Sequence, residues 1–265
     1  MTPSLTAVCA GYESGQWRAA GLARHMLYWV PDFALRQSER RGFNSGAGPE
    51  QMCRAMRMVF GSGSAIRRGE PGEILLHIVC REVFGSDTVL NKVFFKTAGN
   101  DTVKGFDAVH IVHMPDGLEL WLGEAKFYEE RNAAIRDAIA SIRAHLETDY
   151  LRGEFCLITD KIDDSWPHAG QVRQLIHENV SLDHVFRRVT IPVLLAYDSP
   201  AVRGHSEECA EFIAAFEKEM LEGWQRFAGQ ATNVAVPVRV RLFLAPLGSK
   251  RALVDEIDRM LPGWR

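Results

Sequence analysis

Residues 106–127 read Phe-Asp-Ala-Val-His-Ile-Val-His-Met-Pro-Asp-Gly-Leu-Glu-Leu-Trp-Leu-Gly-Glu-Ala-Lys-Phe. β-branched and aromatic residues on both sides of Pro115-Asp116-Gly117 predict two strands joined by a turn. Side chains alternate along a strand, so Glu124 and Lys126 share one face while Gly123 and Ala125 share the other. On the first strand Asp107 shares its face with Val109, Ile111 and His113. Roughly equal numbers of residues separate Asp107 and Glu124 from the turn, which brings the three charged groups together at one end of an apolar hairpin. Charges gathered there without partners are costly, and a bound cation lowers that cost.

The rest of the chain supplies cover for this hairpin. Residues 17–36 predict a helix ending before Pro31 and then a short extended piece. Residues 40–49 read as a loop, 50–60 as a helix, and Gly61-Ser62-Gly63-Ser64 as its break. A helix over 71–84 starts near Pro71 and is capped by Gly85. Lys92–Lys96 is expected to be extended. A long amphipathic helix is expected over 133–146, with Ile135, Ile139, Ile142 and Leu146 at helical spacing. Short strands are expected at 154–159 and at 189–197, the latter interrupted by Pro192. A helix over 206–227, a strand over 238–244 and a helix over 250–261 complete the reading. The order implies a mixed sheet covered by helices. With no linker evident, the expectation is one α/β domain over 61–265 preceded by a helical extension, 1–60, that serves partner contact.

Composition excludes several classes. The 265 residues carry a formal net charge of −3, which gives no global nucleic-acid signature, so any phosphate-binding surface must be local. The five cysteines (Cys9, Cys53, Cys80, Cys156 and Cys209) are widely spaced and lack Cys-x-x-Cys, against a zinc cluster or a disulfide framework. No apolar run is long enough to span a membrane, and the first residues lack a signal-peptide layout, so a cytoplasmic protein is the default expectation. Nucleophile-elbow, P-loop and dinucleotide fingerprints are absent, so an ATP-driven activity would have to come from a partner.

The hairpin charges suit metal-assisted phosphodiester hydrolysis. Two carboxylates present hard oxygen ligands for Mg²⁺, and the metal lowers the pKa of a bound water. A lysine beside it orients that water or stabilises developing charge. The bland alternative is a surface hairpin in which Glu124 and Lys126 form a solvent pair worth little. Glu-x-Lys alone is common, but Asp107 together with Gly123-Glu124-Ala125-Lys126 between Trp121 and Phe127 is a stronger signal. Glu73, in the first turn of the 71–84 helix, has its own bland reading as a complement to the helix dipole. Beside Asp107 and Glu124 it gains weight as a third carboxylate. Glu70 reads as a loop or cap residue, and Glu82 as solvated. His110 and His113 form an H-x-x-H pair, but their odd offset puts them on opposite strand faces and argues against joint ligation. Arg239 and Arg241 share a face and suit either phosphate or a solvated surface.

A helix glutamate, an aspartate on one strand and (D/E)-x-K on the next make this chain resemble the PD-(D/E)xK nuclease superfamily, with Glu73, Asp107, Glu124 and Lys126 matching in order. The fuller strings are Gly69-Glu70-Pro71-Gly72-Glu73-Ile74-Leu75-Leu76-His77, Gly105-Phe106-Asp107-Ala108-Val109-His110 and Leu120-Trp121-Leu122-Gly123-Glu124-Ala125-Lys126-Phe127-Tyr128. They are similar to the nuclease subunit of the Hachiman anti-phage defence system, from about Arg67 to near Leu146 and more weakly beyond. Phe106 stands where that superfamily's motif has proline. The resemblance implies a restriction-endonuclease-like core with metal ligands Glu73, Asp107 and Glu124 and a catalytic Lys126. It also implies cleavage of DNA with Mg²⁺ or Mn²⁺, restrained by a partner helicase until infection or DNA damage is sensed. The competing expectation is a non-catalytic module of the same fold that holds a helicase or binds DNA.

Overall fold

The computed structural model describes residues 2–40, 46–61, 69–95, 105–231 and 238–264. The chain opens with β1 (Ser4–Ala7), a small ribbon of β2 (Tyr12–Glu13) and β3 (Gln16–Trp17), and helices α1 (Ala19–Ala34), α2 (Gln37–Arg40) and α3 (Gly48–Phe60). It continues with α4 (Glu70–Phe84), β4 (Asp87–Asn91), β5 (Ala108–Met114) and β6 (Gly117–Phe127). Four helices follow: α5 (Arg131–His145), α6 (Thr148–Lys161), α7 (Ala169–Leu175) and α8 (Leu182–Phe186). The last elements are β7 (Val189–Asp198), α9 (Pro200–Arg203), α10 (Ala210–Ala231), β8 (Arg239–Leu247) and α11 (Lys250–Met260).

Six strands form one mixed sheet in the order β1-β8-β7-β6-β5-β4. β4, β5 and β6 pair antiparallel, whereas β6, β7, β8 and β1 run parallel. β7 is buried along nearly its whole length, as a parallel strand covered on both faces must be, and its sequence is accordingly a continuous apolar run. One face of the sheet packs Ile135, Ile139 and Ile142 of α5, Phe155 of α6 and Phe227 of α10 against Val109, Leu122 and Val193. The other packs Leu27 and Phe33 of α1, Val59 of α3, Leu76 of α4 and Leu253 of α11 against Ala108, Trp121 and Phe243. This is the α/β, helix-flanked mixed sheet of a restriction-endonuclease-like core.

Residues 1–60 supply the parallel edge strand β1, paired with β8 from Ser4↔Arg241 to Ala7↔Leu244, and the helix α1 that lies across α4 and α11. Pro31 does not end α1. Met26, Leu27, Val30 and Phe33 are buried on both sides of it, so packing carries the helix through the proline, and Leu35 N–H closes it on Pro31 O at 3.0 Å. The segment expected as a strand at 154–159 lies inside α6. Leu151, Phe155, Ile158 and Ile162 are buried at steps of three and four, a helical period that a six-residue window cannot separate from an apolar strand. The strand expected at 92–96 lies upstream as β4, while Lys92–Phe95 forms a 3₁₀ turn; Lys96 falls outside the described residues. Ser62–Ser64 and residues 41–45 of the loop expected over 40–49 also fall outside them, while Gly48 and Pro49 open α3. The cap expected at Gly85 is present: its φ of +59° is the left-handed conformation that glycine adopts without strain, and its N–H reaches Arg81 O.

Candidate active site

Asp107 is the last residue before β5, at the end where β6 runs on past β5 and, among the described residues, pairs only with β7. Its N–H donates to Gly123 O at 2.9 Å, and its carbonyl accepts from Lys92 N at 3.1 Å. Because β5 starts only at Ala108, the next outward β6 amide lacks a strand carbonyl, and the Asp107 carboxylate takes that place: Ala125 N–H donates to Oδ2 at 2.8 Å. The other oxygen, Oδ1, accepts from Lys92 Nζ at 2.8 Å. Strand alternation aims Asp107, Glu124 and Lys126 toward the α5 side of the sheet, as the hairpin pattern predicts.

Glu124 is 3 % exposed, and Lys126 Nζ reaches its Oε1 at 2.7 Å while donating to Ser141 Oγ of α5 at 2.9 Å. Burial, and then the Asp107 charge, push the Glu124 carboxyl up to about 7, against the opposing pull of Lys126 and Ser141. His145 Nδ1 lies 3.4 Å from Glu124 Oε2, yet neither atom has a hydrogen-bond partner among the described residues. Burial holds His145 down to about 4, so the ring is neutral near pH 7 and this contact is no ion pair. The ring is stacked on Tyr150 with centroids 5.1 Å apart and meets the edge of Phe106 at 4.8 Å, which fixes its plane.

Glu73 is buried in the first turn of α4, and its amide closes that turn on Gly69 O at 3.1 Å. It faces the same cluster. Burial lowers the Lys92 pKa, but Asp107, Glu73 and Glu124 together outweigh it and hold the ammonium well above the ordinary lysine range. Glu70, expected as a loop or cap residue, is instead buried at the start of α4.

Sequence reasoning missed Lys92, Ser141, His145 and Tyr150. Ser141 and His145 are four residues apart on α5, so they share one helix face, which was the one legible signal. Lys92 enters through the 3₁₀ turn after β4, and nothing local marks that approach. The two hairpin histidines lie on opposite faces, as their spacing predicts. His110 is buried and bonded to Ser86 Oγ at 2.8 Å, whereas His113 is exposed beside Asp87 and His168. Arg239 pairs with the buried Glu119 at 2.7 Å, and Arg241 lies over the rings of Phe84 and Trp121, at 5.2 and 5.5 Å.

These residues fit a hard dication. Two carboxylates close enough to perturb one another sit in a buried cluster, and Glu124 Oε2 is a buried oxygen with no hydrogen-bond partner among the described residues. Lys92 and Lys126 balance part of that charge.

The family model described as HamA matches residues 2–261, nearly the whole chain. A comparison with curated proteins returned no match. Among the described residues no helix is long and apolar enough to cross a membrane.

Proposed function

Because this chain belongs to the HamA family, the nuclease-like subunit of the Hachiman anti-phage defence system, we propose that it is a Mg²⁺-dependent deoxyribonuclease whose site is Glu73, Asp107, Glu124 and Lys126. The observation that carries the reading is the pairing of a buried, mutually perturbing Asp107 and Glu124 with Lys126 on one sheet face. A bound Mg²⁺ would supply Lewis-acid stabilisation of a phosphodiester and a more acidic water. Asp107 and Glu124 would hold the ion, and Glu73 would add negative charge from the α4 side. Lys126, fixed by Ser141, orients the attacking water and stabilises charge on the phosphoryl oxygens. His145, neutral and stacked on Tyr150, lies beside Glu124 and walls that side of the cluster. DNA is the substrate, and a helicase subunit restrains the site until the complex is triggered; Mn²⁺ replaces Mg²⁺ in the same oxygen-rich site.

Purified protein assembled with its helicase and incubated with plasmid DNA tests this. Cleavage should need Mg²⁺ and fall about 10²–10⁴-fold in Lys126→Ala and in Glu124→Ala, with melting profiles still cooperative. Metal-dependent cleavage at the wild-type rate by both variants rules the site out. No cleavage by the wild-type complex under any trigger leaves a non-catalytic binding module.

A further inference from the structure

A second cluster stands at the opposite, turn end of the hairpin, six residues or about 20 Å along β5 from Asp107. Asp87 opens β4, His113 is near the end of β5, and His168 is the N-cap residue of α7. One ligand atom of each lies within 4.8 Å of the others, and among the described residues no other group of three His, Cys, Asp or Glu side chains meets that spacing. His113 Nε2 is 3.3 Å from Asp87 Oδ2, and the two imidazoles meet edge-on with centroids 4.5 Å apart. Asp87 Oδ1 is turned away, toward Arg81 Nη1 at 3.1 Å, and Arg81 is itself tied to Ser86 O and Asp32. Oδ2 is therefore the oxygen that faces the rings.

The imidazole of His168 is oriented from behind. Its Nδ1 hydrogen-bonds Gln171 Oε1 at 3.2 Å, and Trp166 packs on the ring at 5.4 Å. A neutral histidine donating Nδ1–H keeps its lone pair on Nε2, the arrangement in which an outer hydrogen bond fixes a ligating tautomer. His113 and His168 line a hollow of about 370 Å³, together with His184 and Asp116, so solvent and ions reach the two rings.

We propose that Asp87, His113 and His168 bind a zinc-class dication, with water completing a four-coordinate set. Two imidazoles and one carboxylate suit zinc and its borderline neighbours, whereas Mg²⁺ prefers oxygen alone, so this site and the carboxylate cluster select different ions. The bound ion would tie α7, and with it the α6–α8 segment, to the β4–β5 edge of the sheet.

Tag-free full-length protein, stripped with chelator and titrated with Co²⁺ at neutral pH, tests this. One equivalent should give visible d–d absorption without a thiolate charge-transfer band, and Zn²⁺ should displace it and raise the melting temperature. His113→Gln and His168→Gln should each weaken binding by about ten-fold or more while melting like the parent in chelator. Glu124→Ala should keep the signal. Absence of absorption, a thiolate band, full affinity in both glutamine variants, or loss of the signal in Glu124→Ala would overturn the assignment.

Discussion

Asp107 acts twice, as the end of a strand and as a charge. Its backbone closes the β5–β6 ladder on Gly123, and its side chain extends that ladder by accepting from Ala125 N–H while its other oxygen holds Lys92. The same closeness of Asp107 burdens Glu124. The Glu124 carboxyl is raised from 4.5 in the unfolded chain to about 7, so between those values the folded protein binds the extra proton. Stability from this group is fully present below about 4.5 and is lost as pH rises through about 7. Melting temperature in chelator should therefore fall across that window, and Glu124→Gln should flatten the slope; an equal slope in the variant removes Glu124 as the cause. Mg²⁺ bound as proposed would oppose the loss, since it needs the ionised form, and its affinity should climb over the same range. Lys92 makes the complementary case. Lys92→Met removes a buried cation that faces Asp107, Glu73 and Glu124, so the melting temperature should drop in chelator and the gain on adding Mg²⁺ should exceed that of the parent. A gain equal to the parent's would mean that Lys92 does not stand in for the ion, and no gain in either protein would mean that no cation binds there.

At the scale of elements, α4 brings Glu73 to the hairpin by close approach of its backbone to β6. A methyl at Gly123 would stand 2.8 Å from Leu76 Cδ2 and 3.3 Å from Ala108 O, and one at Gly72 would stand 3.1 Å from Phe127 Cβ. Gly123→Ala should thus cost about 1–3 kcal/mol by urea denaturation and weaken cleavage through displacement of Glu73 and Glu124; a neutral result would show that α4 can slide. Pro192 lies opposite this point. The β6–β7 ladder pairs Leu120↔Val189 and Trp121↔Thr190, then resumes at Glu124↔Val193, because a proline offers no N–H to the strand beside it. The hairpin, the α4 cap and the α5 stripe were legible because each has many residues on one period. The 154–159 segment was misread because six residues do not distinguish the two periods, and β4 because its five residues carry no alternation.

For the whole molecule, the question is how far residues 1–60 are separable. β1 completes the parallel edge beside β8, and α1 and α3 bury Met26, Leu27, Phe33, Met56 and Phe60 over the α4 side of the sheet. Residues 61–265 expressed alone should lack a cooperative melting transition and expose the apolar face of α4, whose buried positions include Ile74, Leu75, Leu76 and Ile78. A monomeric, cooperatively folding fragment would instead make the first 60 residues an accessory layer free for partner contact.

The sequence by itself determined the hairpin, the face shared by Glu124 and Lys126, the meeting of Asp107 with them and the family resemblance. Those follow from local rules: alternation along a strand, counting from a turn, and residue type at fixed spacing. Only the tertiary structure decided that Lys92 neutralises Asp107, that Ser141 and His145 close over Glu124, and that Asp87 and His168 come to His113. Each of those contacts joins residues from different elements, and their approach is set by how helices pack on the sheet, which no local period records.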